Sequence, residues 1–350
     1  MNEASGNMLI VGATAAAVNR LIDLVADRPE WTVTGLCRNP PKDTRKIKWV
    51  SADLFNPASC KRAVGDNQFT HVIYTSRAPH GEDGVEDVPS NVAMLRNIVA
   101  ACETPALRHV HAVTGGKWYG IHMGPYLTPS RESDPGHLPP NFYFDLQNFI
   151  ATESVGKNWT WSTSRPNIIS DVLLGRGRNL LSTIGAYAAI CKHLGRPLDF
   201  PGKPGNYTAL QEMTDAGLLG KAIYWMSTTP SAQNEAYNVV NGDLFRWENI
   251  WPRLAEHFGM KMGRVRHFSL VRWMADKGPV WDEIVAQNKL RPMPLESVAQ
   301  WDFADFLFGW DYDVISSMTK ARLAGFHEYV DTEEMILSQL NGYREAKVLP

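Results

Sequence analysis

Lys117 and Tyr143 have the residue types and positions that most clearly indicate chemistry. Lys117 follows a predicted strand that turns sharply through Thr114-Gly115-Gly116, which places it at the end of that strand. Tyr143 falls in residues 141–147, which we predict to be the first turn of a helix. An ammonium and a phenol that converge on a carbonyl oxygen stabilise its developing negative charge, by about 3–4 kcal/mol for one good donor. We therefore predict that these two residues are catalytic.

The elements that position this pair are strands alternating with helices in the first half of the chain. Such alternation predicts a parallel sheet covered on both faces. Strands are predicted at residues 8–11, 32–36, 47–51, 71–75, 109–113 and 159–164, with helices at 15–26, 57–64 and 91–102. After Pro166 helices dominate, at 179–193, 214–226, 247–258 and 332–340, and one strand falls at 236–240. We predict an α/β, Rossmann-type doubly wound domain over residues 1–166. A smaller, mainly helical substrate-binding part, residues 167–350, is interleaved with it.

The first strand, glycine turn and helix predict a dinucleotide site. Gly12 lies between strand and helix, where backbone amides and the helix dipole face a pyrophosphate. Arg38 follows the second strand, where a basic residue meets a ribose 2′-phosphate, so we predict NADPH (NADP⁺) in preference to NADH. The predicted cofactor-binding residues are Gly12, Thr14, Ala15, Arg38, Asp53, Leu54, Thr75, Thr114, Pro166 and Ile168.

The glycine fingerprint of this turn is incomplete. Only Gly12 is present, and the next two fingerprint positions hold Ala15 and Val18. The second glycine normally lets the backbone approach phosphate, and the third lets the helix pack closely on the strand. Val18 is therefore expected to push the helix outward unless its neighbours are small, as Ala16 and Ala17 are.

Several motifs, spread over nearly the whole chain, together resemble the progesterone 5β-reductase/iridoid synthase-like family of extended short-chain dehydrogenases/reductases. They include Thr114-Gly115-Gly116-Lys117-Trp118-Tyr119, Asn141-Phe142-Tyr143, Arg165-Pro166-Asn167, Tyr187-Ala188-Ala189-Ile190-Cys191-Lys192-His193 and Asn241-Gly242-Asp243-Leu244-Phe245. The resemblance implies NADPH-dependent reduction of the activated C=C bond of enones and enals, including steroid and monoterpene substrates. It also implies that Lys117 and Tyr143 are the catalytic residues.

The substrate pocket is predicted partly from the same resemblance. It implies that Tyr126 and Asn179 line the pocket, and Met123 and Phe142 are added because they lie near the catalytic pair in the sequence. The commoner short-chain dehydrogenase arrangement has a lysine four residues after the tyrosine, but Gln147 occupies that position here. The aromatic residues between Trp301 and Tyr312 fit a cap over an apolar substrate and a plain core equally well.

Composition excludes other classes of partner. The net charge of −2 over 350 residues favours neither nucleic acid nor an anionic membrane, and no apolar segment is long enough to span one. Four scattered cysteines indicate reduced thiols and a cytoplasmic location. His109 and His111 have no further ligand at metal-binding spacing, so no metal site is predicted. A homodimer is compatible with the sequence, although no feature specifies one.

Three alternatives to an ene-reductase stay open at this point. One is a non-redox isomerase or lyase that keeps Lys117 and Tyr143 but has a degenerate cofactor site. Another is a carbonyl/alcohol dehydrogenase, because the same oxyanion-stabilising groups serve that reaction. The third is a cofactor-sensing regulator without catalysis.

Overall fold

A seven-stranded, all-parallel sheet forms the centre of the computed structural model, which describes residues 5–42, 45–79 and 85–350. Two pairs of short strands lie outside this sheet. In chain order the strands are β1 (Gly6–Val11), β2 (Trp31–Cys37), β3 (Lys48–Ser51), β4 (His71–Tyr74), β5 (His109–Val113), β6 (Thr160–Pro166), β7 (Ile169–Ser170), β8 (Leu198–Phe200), β9 (Thr214–Asp215), β10 (Glu235–Val239) and β11 (Met262–Val265).

The order of the strands in the sheet is β10-β6-β5-β4-β1-β2-β3. The first six strands therefore follow the Rossmann order, with a reversal between β1 and β4 where such sheets bind ligands. The seventh strand, β10, comes from the later part of the chain and pairs with β6. The parallel sheet and its strand order confirm the prediction of an α/β, Rossmann-type fold. Apolar strands such as β4 are buried over their whole length, as expected of a sheet that is covered on both faces.

Helices cover both faces of the sheet and build the later part of the chain. They are α1 (Ala16–Ala26), α2 (Pro57–Val64), α3 (Val88–Cys102), α4 (Phe142–Glu153), α5 (Leu180–His193), α6 (Pro204–Thr208), α7 (Ala216–Thr228), α8 (Trp247–His257), α9 (Leu270–Trp273), α10 (Gly278–Asn288), α11 (Trp301–Phe308), α12 (Thr319–Leu323) and α13 (Thr332–Glu345). One face of the sheet packs on α1 and α7, the other on α2, α3 and α4. None of the helices in the described ranges has the length and apolar character needed to cross a membrane.

The helix predicted over residues 214–226 begins two residues later than expected. Thr214 and Asp215 form β9, which pairs with β7. The carboxylate of Asp215 then accepts a hydrogen bond from the backbone amide of Leu218 at 3.0 Å and caps α7. A capping carboxylate satisfies an amide that has no partner within the helix, so the helix begins after it.

Val18 lies on α1 and is fully buried in the core that this helix forms with the sheet. The neighbouring helix α7 comes close to α1 at Gly220, where an added Cβ atom would lie 2.8 Å from the backbone nitrogen of Leu21. The absence of a side chain at Gly220 therefore lets α7 pack closely on α1. The third fingerprint glycine is replaced by a core residue, Val18.

Candidate active site

Asn141 joins the segment that carries Lys117 to the helix that carries Tyr143. Its Nδ2 donates to the backbone carbonyl of Lys117 at 3.0 Å, and its Oδ1 accepts from the backbone amide of Tyr143 at 3.0 Å. The side chain of Asn141 is buried and caps α4. Since an N-cap residue fixes the entry to its helix, these two bonds set the position of Lys117 relative to Tyr143.

Glu86 makes a second link between the same two segments. One carboxylate oxygen lies 3.4 Å from the Lys117 ammonium, and the other accepts a hydrogen bond from the backbone amide of Phe142 at 3.2 Å. The Glu86 side chain is only 11 % exposed, against 30 % for Lys117. A shielded carboxylate interacts more strongly with a cation than one in open solvent, so Glu86 orients the ammonium.

Tyr143 is held in its protonated form. Burial raises the pKa of its phenol to about 12, although the cations of Arg77 and Arg178 act in the opposite direction. Burial has this effect because it disfavours the charged phenolate. Tyr143 is therefore a hydrogen-bond donor at neutral pH.

Lys117 and Tyr143 line one cavity of about 420 Å³ at the carboxyl end of β5 and β6. Its polar end also contains Thr114, Gly115 and Asn167. The apolar part of its lining is formed by Ile121, Leu173, Phe303, Phe306, Leu307 and Trp310. The aromatic residues of the 301–312 segment thus divide between the two roles that the sequence left open. Phe308 is buried in the core, Phe303 and Phe306 line the cavity, and Trp310 belongs to the core and also lines the cavity.

A groove of about 560 Å³ adjoins this cavity and runs past the end of β1 toward Arg38. The cavity and the groove share lining residues: Thr14, Ala15, Arg77, Arg176 and Arg178. Gly12 has a φ of +78°, and an added Cβ atom would lie 2.8 Å from Ser76 Oγ, so this turn requires glycine. No side chain caps the first turn of α1. The amide of Val18 donates to the Ala15 carbonyl at 3.2 Å, and the amides of Ala16 and Ala17 before it remain available for an anion. These features fit an extended dinucleotide with its phosphates at α1.

All ten predicted cofactor-binding residues lie along this continuous surface. Seven line the groove: Gly12, Thr14, Ala15, Arg38, Asp53, Leu54 and Thr75. Thr114, Pro166 and Ile168 line the catalytic cavity. Thr114 also has a structural bond, because its hydroxyl donates to the Ser164 carbonyl at 2.8 Å.

None of the four residues predicted to line the substrate pocket is among the described residues that line this cavity. Asn179 is buried and caps α5, and Phe142 packs in the core between α4 and the sheet. The Tyr126 hydroxyl accepts a hydrogen bond from the backbone amide of Ile315 at 3.2 Å, and Met123 is 60 % exposed. The apolar lining of the cavity comes instead from residues such as Leu173 and those of α11.

Four charged residues of the site were not predicted from the sequence: Glu86, Arg77, Arg176 and Arg178. Arg77 follows β4, so the rule that ligands bind at the carboxyl ends of parallel strands could have identified it. Arg176 and Arg178 lie in the segment between β7 and α5, whose sequence Gly175-Arg176-Gly177-Arg178 marks a loop but does not locate it.

Gln147, which replaces the lysine of the commoner arrangement, has a different role. Its Oε1 accepts hydrogen bonds from Arg165 at 3.1 Å and from Thr163 at 3.0 Å. The buried Arg165 guanidinium lies 3.7 Å from the centroid of the Trp118 ring. Gln147 therefore helps to bury a structural arginine, and the ammonium that lines the cavity, that of Lys117, comes from another segment.

The two strand histidines are also structural. His109 and His111 bind hydroxyls of β6, with four ring-nitrogen contacts of 2.8–3.1 Å to Thr160, Ser162 and Ser164. Burial lowers the pKa of His111 to about 3, so this ring is neutral. Over the described residues, no group of three histidine, cysteine or acidic side chains is arranged to hold a metal.

Comparison with solved structures supports the same scaffold. The UDP-glucose 4-epimerase of Thermus thermophilus, solved with NAD, superposes with a TM-score of 0.66 at 15 % identity, covering 97 % of this chain and 99 % of that one. The Bordetella bronchiseptica enzyme WbmG, solved with NAD and UDP, superposes with a TM-score of 0.67 at 14 % identity, covering 99 % of this chain and 96 % of that one. At such identities the likeness shows the fold alone.

Two curated proteins have about twice that sequence identity to this chain. The (S)-8-oxocitronellyl enol synthase of Antirrhinum majus is 34 % identical over 98 % of this chain and 92 % of that protein. The 3-oxo-Delta(4,5)-steroid 5-beta-reductase of Arabidopsis thaliana is 32 % identical, with the same coverage of 98 % and 92 %. These relatives are oxidoreductase-type enzymes on the short-chain dehydrogenase/reductase scaffold, which confirms the predicted enzyme class. Residues 53–350 match the PRISE-like Rossmann-fold domain, and the chain belongs to that family.

Proposed function

We propose that this enzyme uses NADPH to reduce the activated C=C bond of an α,β-unsaturated carbonyl compound. The observation that carries the proposal is that Lys117 and Tyr143 line a cavity that opens directly into the groove containing Gly12 and Arg38. Two relatives point the same way, since one is named a steroid 5-beta-reductase and the other an enol synthase. An enolate oxygen is the group that both activities have in common.

The groove residues would hold the cofactor. The backbone amides of the first turn of α1 would bind the pyrophosphate, and Arg38 would bind the ribose 2′-phosphate. Asp53 and Leu54 would hold the adenine end, whereas Thr114, Pro166 and Ile168 would hold the nicotinamide end. When bound, NADPH supplies a hydride to the β-carbon of the substrate.

Lys117 and Tyr143 stabilise the charge that this reduction creates. As the β-carbon is reduced, negative charge develops on the carbonyl oxygen, and the ammonium and the phenol donate hydrogen bonds to it. Tyr143 can donate because burial keeps the pKa of its phenol near 12. The enolate collapses when its α-carbon is protonated, by Tyr143 or by solvent.

The direct test is to follow NADPH absorbance while the purified protein acts on progesterone and on a panel of smaller enones and enals. We expect cofactor consumption and a saturated carbonyl product, identified by mass spectrometry and NMR. A saturated or unsaturated alcohol would indicate carbonyl reduction instead. Isomerised substrate without NADPH consumption would indicate a non-redox enzyme. If the protein binds NADPH and reduces no member of the panel, the proposal is wrong.

A further inference from the structure

A second cavity, of about 700 Å³, lies between β8, β11 and α9. None of its described lining residues also lines the catalytic cavity or the cofactor groove. Its volume falls in the range of about 300–1,000 Å³ that is usual for small-molecule sites. The second cavity therefore has room for a ligand that the proposed reaction does not use.

The polar lining of the second cavity is mainly cationic. Four of its residues carry a positive charge: Arg196, Lys261, Arg264 and Arg266. None of the four forms an ion pair with a carboxylate in the ranges that the structure describes. Asp199 is the one acidic residue among the described lining residues, and its carboxylate accepts a hydrogen bond from the backbone amide of Arg264 at 2.8 Å. The cavity thus has an excess of positive charge that attracts an anion.

Three aromatic rings line the same cavity. The centroid of the Trp273 ring lies 5.9 Å from that of Tyr187 and 5.5 Å from that of Phe268, both in edge-to-face contact. The Tyr187 hydroxyl donates to the carbonyl of Asp199 at 2.9 Å, which fixes this buried ring. Trp273 is nevertheless 37 % exposed, and the Lys277 ammonium lies 5.9 Å from its ring centroid, at the outer limit of a cation–π contact. An indole that two rings hold in place and that still borders the cavity is a platform on which a flat ligand can stack.

Asp305 connects the second cavity with the catalytic one. Its carboxylate accepts hydrogen bonds from Ser269 Oγ and from the backbone amide of Leu270, both at 2.7 Å. Ser269 caps α9, Leu270 is the first residue of this helix, and Trp273 is its last. Asp305 itself lies on α11, next to Phe306, which lines the catalytic cavity. A ligand that holds Trp273 would therefore restrain α9 and, through Asp305, the helix that forms part of the catalytic cavity.

We propose that the second cavity is a regulatory site for a small anion that carries an aromatic ring, which is the chemistry of a nucleoside phosphate. The ring stacks on Trp273, and the anionic group binds among Arg196, Arg264 and Arg266. The bound ligand acts on the catalytic cavity through Asp305 and α11.

Calorimetry tests the class of ligand. The protein is first saturated with NADP⁺, so that the cofactor groove is filled, and is then titrated with ADP, with adenosine and with pyrophosphate. The variants are W273L, which removes the indole, and the double variant R264M/R266M, which removes two cations. Y329L and R272M are the matched controls. Tyr329 is an exposed ring, Arg272 precedes Trp273 on α9, and neither is among the described residues that line the second cavity.

We expect ADP to bind at least about tenfold more tightly than adenosine or pyrophosphate, because each of these has only the ring or only the charge. W273L and R264M/R266M should each weaken ADP binding by about tenfold or more, and the two controls should bind ADP as wild type does. The wild-type series decides the class of ligand even where a variant does not fold.

Three results would overturn the proposal. In the first, wild type does not bind ADP at about 1 mM, or binds adenosine or pyrophosphate as tightly as ADP. In the second, R272M weakens ADP binding as much as R264M/R266M. In the third, an oligoadenylate binds more than about tenfold tighter than ADP, because the surface would then be a nucleic-acid site.

Hydrogen exchange tests the action on α11. The amides of α11 should exchange at least about twofold more slowly when ADP is bound, whereas those of α2, which packs in a different core, should not change. Equal exchange in α11 with and without ADP would overturn the regulatory role. Neither measurement requires turnover. If the protein does not bind NADP⁺, the proposed cofactor site fails, and comparison of W273L with R38Q still shows which of the two sites ADP occupies.

Discussion

Glu86 contacts Lys117 through one carboxylate oxygen, at 3.4 Å, while its other oxygen binds the first turn of the helix that carries Tyr143. The two proposed catalytic groups therefore share one carboxylate as a support. A change at Glu86 should move the ammonium without removing it.

Glu86→Gln is expected to lower kcat by about ten- to hundredfold, because small misplacements of a reacting group are costly. A double-mutant cycle with Lys117→Met checks this. If Glu86 acts through Lys117, its loss should have little further effect once the ammonium is gone. Glu103→Gln is the control, since Glu103 pairs with Lys157 at the surface. Additive effects in the cycle would contradict the positioning role.

Tyr143→Phe and Lys117→Met should each lower kcat by about 10²–10³-fold, the loss typical of one oxyanion-stabilising donor. Lys117→Met also leaves Glu86 without its cation, so Lys117→Arg is needed as a charge-preserving comparison. The Kd for NADPH should change less than kcat. Full activity of Tyr143→Phe would show that the phenol has no part in the reaction and would favour a cofactor-sensing protein.

Arg38→Gln should raise the Kd for NADPH and leave that for NADH nearly unchanged, because only NADPH carries the 2′-phosphate that the guanidinium would meet. Fluorescence titration with both cofactors measures the ratio directly. Arg62→Gln, a surface change on α2 outside the groove lining, is the control. An equal loss for the two cofactors would mean that Arg38 does not recognise the phosphate.

Val18→Gly restores the third glycine of the fingerprint, yet it should harm the protein. Val18 is fully buried, so the change leaves a cavity and adds a flexible residue to α1. We expect a loss of about 3 kcal/mol in the free energy of unfolding, measured with urea. NADPH binding should not become tighter. Tighter binding would show that the helix is held away from the cofactor after all.

Glu212 should make stability depend on pH. It is 1 % exposed, and burial raises the pKa of its carboxyl from 4.5 to about 7. The folded protein therefore holds this proton more tightly than the unfolded chain, and the resulting stability is present below pH 4.5 and lost as the pH rises through 7. At about 1.4 kcal/mol per pKa unit, the loss is roughly 3 kcal/mol.

Urea unfolding of wild type and Glu212→Gln between about pH 4.5 and 8 measures this loss. The difference between the two proteins should change over that range, because glutamine does not titrate. The same experiment bears on the site, since Glu212 accepts a hydrogen bond from Asn167, which lines the catalytic cavity, at 3.4 Å. A difference that is independent of pH would mean that Glu212 stays ionised in the folded protein.

The fold, and the position of the predicted cofactor residues at the carboxyl edge of the sheet, were predictable because their signals are local. A buried strand, Gly12 and a helix follow one another in the chain, and all ten predicted cofactor residues lie at strand ends or turns. The apolar lining of the cavity that contains Lys117 and Tyr143 was not predictable in this way. Asn179 is a helix cap. Asparagine occurs both at helix caps and in polar pockets, so its residue type does not distinguish the two roles. Arg178 reaches the cavity only because helices distant in sequence pack where they do.

Val18 and Gly220 show the same limit in the packing of the sheet. The sequence around Val18 predicts an outward shift of α1 unless the neighbouring residues are small, as Ala16 and Ala17 are, but it does not show that α7 packs on α1 at Gly220, about two hundred residues later in the chain. That packing depends on a tertiary contact and has no local pattern. The contact between Glu86 and Lys117 is similar, because two loops that are separate in sequence meet only in the folded chain.

Because β10 pairs with β6, the first half of this enzyme cannot be separated from the second half without breaking the sheet. A fragment ending at Pro166 would expose the whole hydrogen-bonding edge of β6, from Ser162 to Pro166, to solvent. Unprotected edges of this kind recruit other chains, so the excised nucleotide-binding half should aggregate rather than behave as a portable module. A chimera of two related enzymes would have to take β10 and the first six strands from the same parent.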